Sequence, residues 1–183
     1  MEFGYWEVML AVMIPAILYA SWIDYSERRV PNWLNGSLAL AGFAAQAFFF
    51  GTSGLGTAGL GLLVGFALLI VPWLMHGMGA GDVKLMAAIG AWLGPWLTLL
   101  SFGVGVLIGG VAAIVMIAST GRVAHAIVNL QTIMTKMRRL DTAFGEFGGA
   151  KTFGNTSQLL PYGVPLTAGT IGVVLTQYFG GWV

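Results

Sequence analysis

Two aspartates, Asp24 and Asp82, lie at the ends of long apolar runs in a chain of which only 8% of the residues are charged. A carboxylate beside or within hydrocarbon is costly, so its presence there is by itself a functional hypothesis. Two carboxylates that are close together in a low-dielectric site do not both ionise easily, and they share a proton. The ionised member can take a proton from water while the neutral member donates one to a carbonyl oxygen. That is the arrangement that peptide hydrolysis by an aspartic dyad requires.

Each aspartate also has a simpler interpretation when it is taken alone. Asp82 precedes an apolar run, where Asp commonly serves as the N-cap of a helix. Asp24 could be a solvated loop residue that marks the end of the first apolar run. Glu27 rivals Asp24 by proximity, but it lies deeper in the polar loop, where solvent or a neighbouring arginine would pair with it. His76 lies in a glycine-rich loop and could assist catalysis, although a loop histidine at the interface is more often inert.

The composition predicts an all-α membrane protein. The chain has 183 residues and is 57% hydrophobic, whereas soluble domains carry about 25% charged residues. Its apolar residues form blocks long enough to cross a bilayer, which takes about 20 residues as a helix. The blocks do not alternate as the strands of a membrane barrel would.

Several classes of site are excluded or unsupported. Cysteine is absent, which excludes disulfides, cysteine zinc sites and thiol nucleophiles. The two histidines, His76 and His125, form no metal motif with any carboxylate. The net charge of +1 gives no indication of nucleic acid as a partner. We therefore expect no metal and no cofactor, and the expected surroundings are membrane lipid.

About six transmembrane helices are predicted in a single domain that covers residues 1–183. A seventh, amphipathic segment at 122–140 is expected to lie at the cytoplasmic headgroup level. The run from Leu85 to Gly121 carries no charge and is too long for one span. A break is predicted at Gly94-Pro95, because helices usually end at or before the residue that precedes proline. The predicted spans are 6–23, 33–50, 55–75, 82–93, 96–119 and 159–179.

The basic residues orient this topology. With six spans, every Lys and Arg falls in the loops after the first, third and fifth spans or, for Lys84, within three residues of such a loop. The positive-inside rule places those loops in the cytoplasm and the N-terminus outside. Both Asp24 and Asp82 then lie at the cytoplasmic face, where the packing of the spans can bring them together.

The residues around Asp82 suit this chemistry. Gly79 and Gly81 lack side chains, so a substrate backbone could come close to the carboxylate. Asp82 also lies at a predicted helix N-terminus, where the helix dipole favours the anionic form. On this argument Asp82 would be ionised and Asp24 would hold the proton. Lys84 could pair with a carboxylate or a lipid phosphate, or serve only as a positive anchor.

Three short segments resemble the type IV prepilin peptidases. Gly79-Ala80-Gly81-Asp82 looks like the GxGD motif of that family. Asp24 followed by Arg29-Val30-Pro31-Asn32 looks like its first aspartate with the downstream (I/V)PN. Leu160-Pro161-Tyr162-Gly163-Val164-Pro165 is similar to the PYG-P stretch before its last helix. The three segments occur in the right order, and their combination is specific, although GxGD alone is shared with presenilin-like proteases.

The resemblance implies an aspartic endopeptidase of the bacterial inner membrane. It would cut the short basic leader from type IV pilin-like precursors at the cytoplasmic face, with Asp24 and Asp82 as the catalytic pair. Substrate-binding or loop-shaping roles are expected for Gly79, Gly81, Lys84, Pro31, Asn32 and Tyr162.

The resemblance does not imply the methyltransferase activity of the larger bifunctional members. Those members add an N-terminal domain with a Cys motif, whereas this chain has no cysteine and no room before the first span. The short format looks like the single-function enzymes of Flp/Tad-type pilus systems.

Two alternatives remain. The first is a small proton-coupled transporter that uses the aspartates as relay sites, although transporters place such groups near the midplane and often show internal repeats. The second is a GxGD protease that acts on other membrane segments. Those enzymes usually carry the first aspartate inside a helix, whereas Asp24 is predicted to end one.

Overall fold

A computed structural model describes residues 4–27, 30–74, 78–120 and 162–180, which are mainly helical and contain no strand. The helices are α1 (Tyr5–Glu27), α2 (Asn32–Leu74), α3 (Ala80–Thr120) and α4 (Gly163–Gly180). An apolar run in lipid must satisfy its backbone hydrogen bonds internally, which favours helix over any open structure. The predicted amphipathic segment 122–140 lies outside the described residues.

Three of the described helices are long and apolar enough to cross a membrane, namely Tyr5–Glu27, Asn32–Leu74 and the Ala80–Val115 part of α3. The all-helical membrane class is thus supported, while six spans and an external N-terminus stay predictions. The helix bounds differ from those predicted. The first helix continues from the expected end at residue 23 to Glu27, and the last begins at Gly163 rather than at 159.

Both long helices are interrupted at one glycine. Gly51 breaks α2 with φ 62°, and Gly94 breaks α3 with φ 73°. Positive φ values are readily adopted by glycine alone, so both breaks fall where the sequence permits them. The predicted break at Gly94-Pro95 is confirmed. The predicted spans 33–50 and 55–75 are separated by one non-helical residue, Gly51, rather than by residues 51–54.

Each break reverses the chain. Gly42 approaches Ala91 and Trp92, whereas Gly61 approaches Gly90 and Gly65 approaches Met86. Residues 32–50 therefore run parallel to 80–93, and residues 52–74 run antiparallel to the same segment. Segment 80–93 thus lies between the two halves of α2, and every residue from 85 to 94 is buried.

Glycines hold these helices at backbone contact. A Cβ atom on Gly61 would lie 2.0 Å from the carbonyl oxygen of Gly90, and one on Gly90 would lie 2.1 Å from that of Gly61. Residues 95–120 pack on α4 in the same way, with Gly105 against Leu166 and Gly169. Small residues at such crossings allow membrane helices to associate closely.

Trp92 closes the end of segment 80–93 that is remote from Asp82. Its indole N–H donates to the Leu38 carbonyl at 2.8 Å, and its own carbonyl accepts from the Gln46 amide at 2.9 Å and from the Tyr5 hydroxyl. Pro95 has no N–H, and the break at Gly94 leaves the last carbonyls of this segment without helical donors. Side chains from two other segments therefore replace the missing donors.

The glycine contact predicts a difference between two neighbouring glycines of α2. Gly61→Ala should lower the free energy of unfolding by about 1–3 kcal/mol, because the added methyl group collides with the Gly90 backbone. Gly59→Ala meets no atom within 4 Å and should be neutral or slightly stabilising, since Ala favours helix. Thermal unfolding in detergent micelles measures both. Equal stability of the two variants would contradict the packing.

Candidate active site

Asp24 lies inside α1, one turn before its end, and its side chain is only 5% exposed. The alternative of a solvated loop residue is therefore wrong for Asp24. Glu27, one turn later, is exposed. The side-chain Oδ2 of Asp24 accepts a hydrogen bond from the backbone N–H of Gly163 at 3.1 Å. The carboxylate is thus held inside the bundle by a partner 139 residues away.

Gly163 is the first residue of α4, so Asp24 faces a helix N-terminus that belongs to another segment. The first N–H groups of a helix have no partner within it, and the helix dipole favours an anion there. Gly163 has no room for a side chain, because a Cβ atom would lie 2.9 Å from Oδ2 of Asp24. From the sequence, Asp82 was expected to be the ionised residue because it lies at a helix N-terminus. In the structure Asp24 also meets a helix N-terminus, so the helix dipole does not distinguish the two residues.

Asp82 is the third residue of α3, and it is also 5% exposed. Its backbone N–H donates to the Gly79 carbonyl at 3.2 Å. Since the helix begins at Ala80, Asp82 lies within the first turn and is not the N-cap. Its side-chain Oδ1 is buried and has no hydrogen-bond partner among the described residues. A buried carboxylate oxygen without a donor is costly, and such groups call for an explanation.

The two carboxyl groups lie at the same end of the bundle, close enough for the charge of Asp24 to act on Asp82. Both are buried and come from different helices. Like charges at short range oppose double ionisation, so the pair is suited to share one proton. The sequence prediction that helix packing can bring Asp24 and Asp82 together agrees with this arrangement.

Tyr162 completes this end of the bundle. It is half-buried and directly precedes Gly163, and its carbonyl accepts the N–H of Leu166 at 3.2 Å. Burial and the nearby charge of Asp82 raise the pKa of the Tyr162 phenol above its usual value. The hydroxyl therefore stays protonated at neutral pH and can donate a hydrogen bond beside the aspartates.

The two glycines before Asp82 have different surroundings. A Cβ atom on Gly81 would lie 3.0 Å from the backbone nitrogen of Val30. The absence of a side chain at Gly81 therefore allows the backbone of Val30 to pack closely against it. The expected role of Gly81 beside a substrate backbone stays a prediction. A Cβ atom on Gly79 would lie 3.4 Å from Oδ2 of Asp82. Of the two glycines, Gly79 is the one beside the carboxylate.

The Pro-Asn segment shapes the loop that carries Asp82. Lys84 donates from Nζ to Oδ1 of Asn32 at 2.7 Å. The Asn35 amide donates to the Gly81 carbonyl at 3.3 Å, and the Asn35 N–H donates to the Pro31 carbonyl at 3.3 Å. These contacts tie the start of α2 to the start of α3. Asn35 escaped prediction from the sequence, although it lies in the first turn of α2, shortly after Pro31.

Lys84 and Asn32 also line a groove of about 280 Å³ between α2 and α3, with Phe66, Leu62 and Ala87 among its apolar residues. Neither aspartate lines this groove. The loop-shaping alternative for Lys84 and Asn32 is thus the one that the contacts support. Within the described ranges, no group of three or more His, Cys, Asp or Glu side chains is arranged to hold a metal ion.

Residues 11–114 match the model of the type IV leader peptidase family, and this region contains both aspartates. The chain is 33% identical over 119 residues to the prepilin leader peptidase/N-methyltransferase of Aeromonas hydrophila, covering 57% of this chain and 40% of the relative. It is 35% identical over 109 residues to the protein of the same name from Burkholderia pseudomallei, covering 53% and 35%.

A shorter match reaches higher identity. Over 46 residues the chain is 56% identical to the prepilin leader peptidase/N-methyltransferase of Neisseria gonorrhoeae. This match covers 25% of this chain and 16% of the relative. The chain thus spans 40% of the length of the Aeromonas hydrophila relative. No solved structure matches the chain significantly.

The contact between Gly163 and Asp24 predicts that Gly163→Ala disturbs the site. The methyl group would lie 2.9 Å from Oδ2, so α4 must shift away from α1 or Asp24 must change rotamer. We expect a loss of about 1–3 kcal/mol in the free energy of unfolding. Gly172→Ala on the same helix meets no atom within 4 Å and serves as the control. Thermal unfolding that is unchanged in Gly163→Ala would contradict this geometry.

Proposed function

Because the chain belongs to the type IV leader peptidase family, we propose that it is an aspartic endopeptidase that removes the leader from a type IV pilin-like precursor. Asp24 and Asp82 are the catalytic pair. The name of each relative described above includes prepilin leader peptidase, and this is the source of the substrate class. The observation that carries the mechanism is the pair of buried aspartates, one of which has a carboxylate oxygen without a donor among the residues that the structure describes.

The reaction uses the shared proton of the pair. The ionised carboxylate takes a proton from a water molecule, whose oxygen forms a bond to the scissile carbonyl carbon. The neutral carboxyl donates its proton to the carbonyl oxygen, which gives a tetrahedral intermediate. The intermediate then collapses: one of its hydroxyl groups returns a proton to the carboxylate that had donated one, the C–N bond breaks, and the amine leaves with the proton that the other carboxyl took from water. Oδ1 of Asp82, which lacks a donor among the described residues, is a suitable acceptor for the water proton.

Tyr162 is positioned to assist this reaction. Its phenol is protonated at neutral pH, and burial together with the nearby charge of Asp82 raises its pKa further. A protonated phenol can donate a hydrogen bond to the carbonyl oxygen as negative charge develops there. We propose that Tyr162 positions the substrate. The sequence resemblance implied either this role or a role in shaping the loop.

The proposed site faces the cytoplasm of a bacterial inner membrane. Lys84 lies two residues from Asp82, and the other basic residues fall in loops that the positive-inside rule assigns to the same side. A leader rich in basic residues would remain on that side, so the cut would occur without moving the leader across the membrane.

The proposal covers peptide hydrolysis and omits methyl transfer. The names of the relatives include N-methyltransferase, but the first match spans only 40% of the relative's length. The family resemblance connects methyl transfer with a Cys motif, and this chain contains no cysteine. Mass spectrometry of the newly formed pilin N-terminus separates the two activities, because methylation adds mass to it.

Asp24→Asn and Asp82→Asn should each lower precursor cleavage by at least about 100-fold, because each removes a group that transfers a proton. The amides keep the size of the side chains, so the protein should still accumulate. The test is co-expression with a pilin-like precursor, with leader removal followed by gel mobility and mass spectrometry.

Glu27→Gln provides the matched control, since Glu27 is an exposed carboxylate one turn from Asp24. It should process the precursor as the unchanged protein does. Normal processing in either aspartate variant would refute the dyad. Proton flux into liposomes without any peptidase activity would favour the transporter instead.

A further inference from the structure

Two buried hydroxyl groups join α1 to α4 immediately beside Asp24. Ser21 lies one turn before Asp24 on α1, and Thr167 lies one turn after Gly163 on α4. They are 8% and 3% exposed. Their oxygen atoms are 2.5 Å apart. These hydroxyls have no part in the proton transfers described above.

Each hydroxyl also bonds to the backbone of the opposite helix. The Ser21 hydroxyl shares its one proton between Thr167 Oγ1 and the Gly163 carbonyl, which is 3.1 Å away, and Thr167 Oγ1 donates to the Ile17 carbonyl at 3.4 Å. In hydrocarbon these hydroxyls have no water as an alternative partner, so the contacts between the helices hold their geometry. We call Ser21, Thr167 and Gly163 the hydroxyl latch.

The latch acts on Asp24 through Gly163. The Gly163 carbonyl is held by Ser21, while the Gly163 N–H donates to Oδ2 of Asp24 at 3.1 Å. Both groups belong to one residue at the start of α4, where the backbone N–H has no acceptor within the helix. A shift of α4 along α1 would therefore change the hydrogen bond to Asp24 and the location of its carboxylate relative to Asp82.

We propose that Ser21 and Thr167 are positioning residues, which set the orientation of the Asp24 carboxylate for the cleavage reaction through the first residue of α4. This inference rests on the proposed function. Displacements of about 1 Å in a catalytic group can reduce a rate by about 100-fold even when the group itself is retained. The latch thus affects turnover more than the binding of the precursor.

The chain offers a matched control on the same helix. Thr170 is fully buried, and its hydroxyl donates to the Leu166 carbonyl of its own helix at 2.9 Å. Thr170→Val removes a buried hydroxyl without touching α1. Ser101 is also fully buried, and its Oγ has no partner among the described residues. Ser101→Ala is therefore the control for Ser21→Ala.

The experiment measures kcat and KM for precursor cleavage by purified variants in detergent. Thr167→Val should lower kcat by about 10- to 100-fold, with KM within about twofold of the unchanged protein, whereas Thr167→Ser keeps the hydroxyl and should restore most of the rate. Ser21→Ala should behave as Thr167→Val does. Thr170→Val and Ser101→Ala should keep kcat within about threefold, and thermal unfolding shows whether each variant is folded.

The outcomes separate the two proposals. Suppose that the unchanged protein cleaves the precursor and that Thr167→Val and Ser21→Ala are no slower than their controls. This result overturns the latch and leaves the proposed function intact. A precursor that the unchanged protein does not cleave overturns both. If Thr167→Val does not fold, Ser21→Ala and Thr167→Ser decide: a normal kcat in Ser21→Ala overturns the latch, and a kcat reduced as expected supports it.

Discussion

Backbone contact around residues 80–93 is the constraint on which the rest of the structure depends. Gly61 and Gly65 press against one side of this segment and Gly42 against the other, at distances that exclude any side chain. Helices in lipid gain little from burying apolar surface against one another, so close packing and polar contacts must hold them together. Because α3 begins with this enclosed segment, the location of Asp82 is set by the glycines of α2. The same enclosure holds Trp92 at the far end.

The burial of two carboxylates is offset by the ends of two helices. Asp82 lies in the first turn of α3, and Asp24 meets the first N–H of α4. Unsatisfied N–H groups and the helix dipole both favour negative charge at such sites. A chain that had to bury either carboxylate in the middle of a helix would lack this compensation. The arrangement explains how a protein with so few charges retains two acidic groups in its interior.

The sequence predicted those features that depend on nearby residues. Glycine before proline predicted the break at Gly94, and the motif around each aspartate predicted the family to which the chain belongs. The features that escaped prediction depend on distant residues. The contact of Asp24 with Gly163 joins positions 139 residues apart, and Gln46 reaches the Trp92 carbonyl across 46 residues. The continuation of α1 through Asp24 also escaped, because the polar residues after position 23 suggested a loop. No local pattern specifies which backbone group a distant helix will present.

Segment 80–93 also connects the two ends of the bundle mechanically. Asp82 and Trp92 are ten residues apart on one stiff helix, a separation of about 15 Å. The Trp92 carbonyl is fixed by Gln46 and Tyr5, which lie far from the carboxylates in the bundle. A helix transmits an axial displacement almost without loss, so a repacking at Trp92 would move Asp82 relative to Asp24. A change of packing at the remote end would therefore affect the chemistry from about 15 Å away.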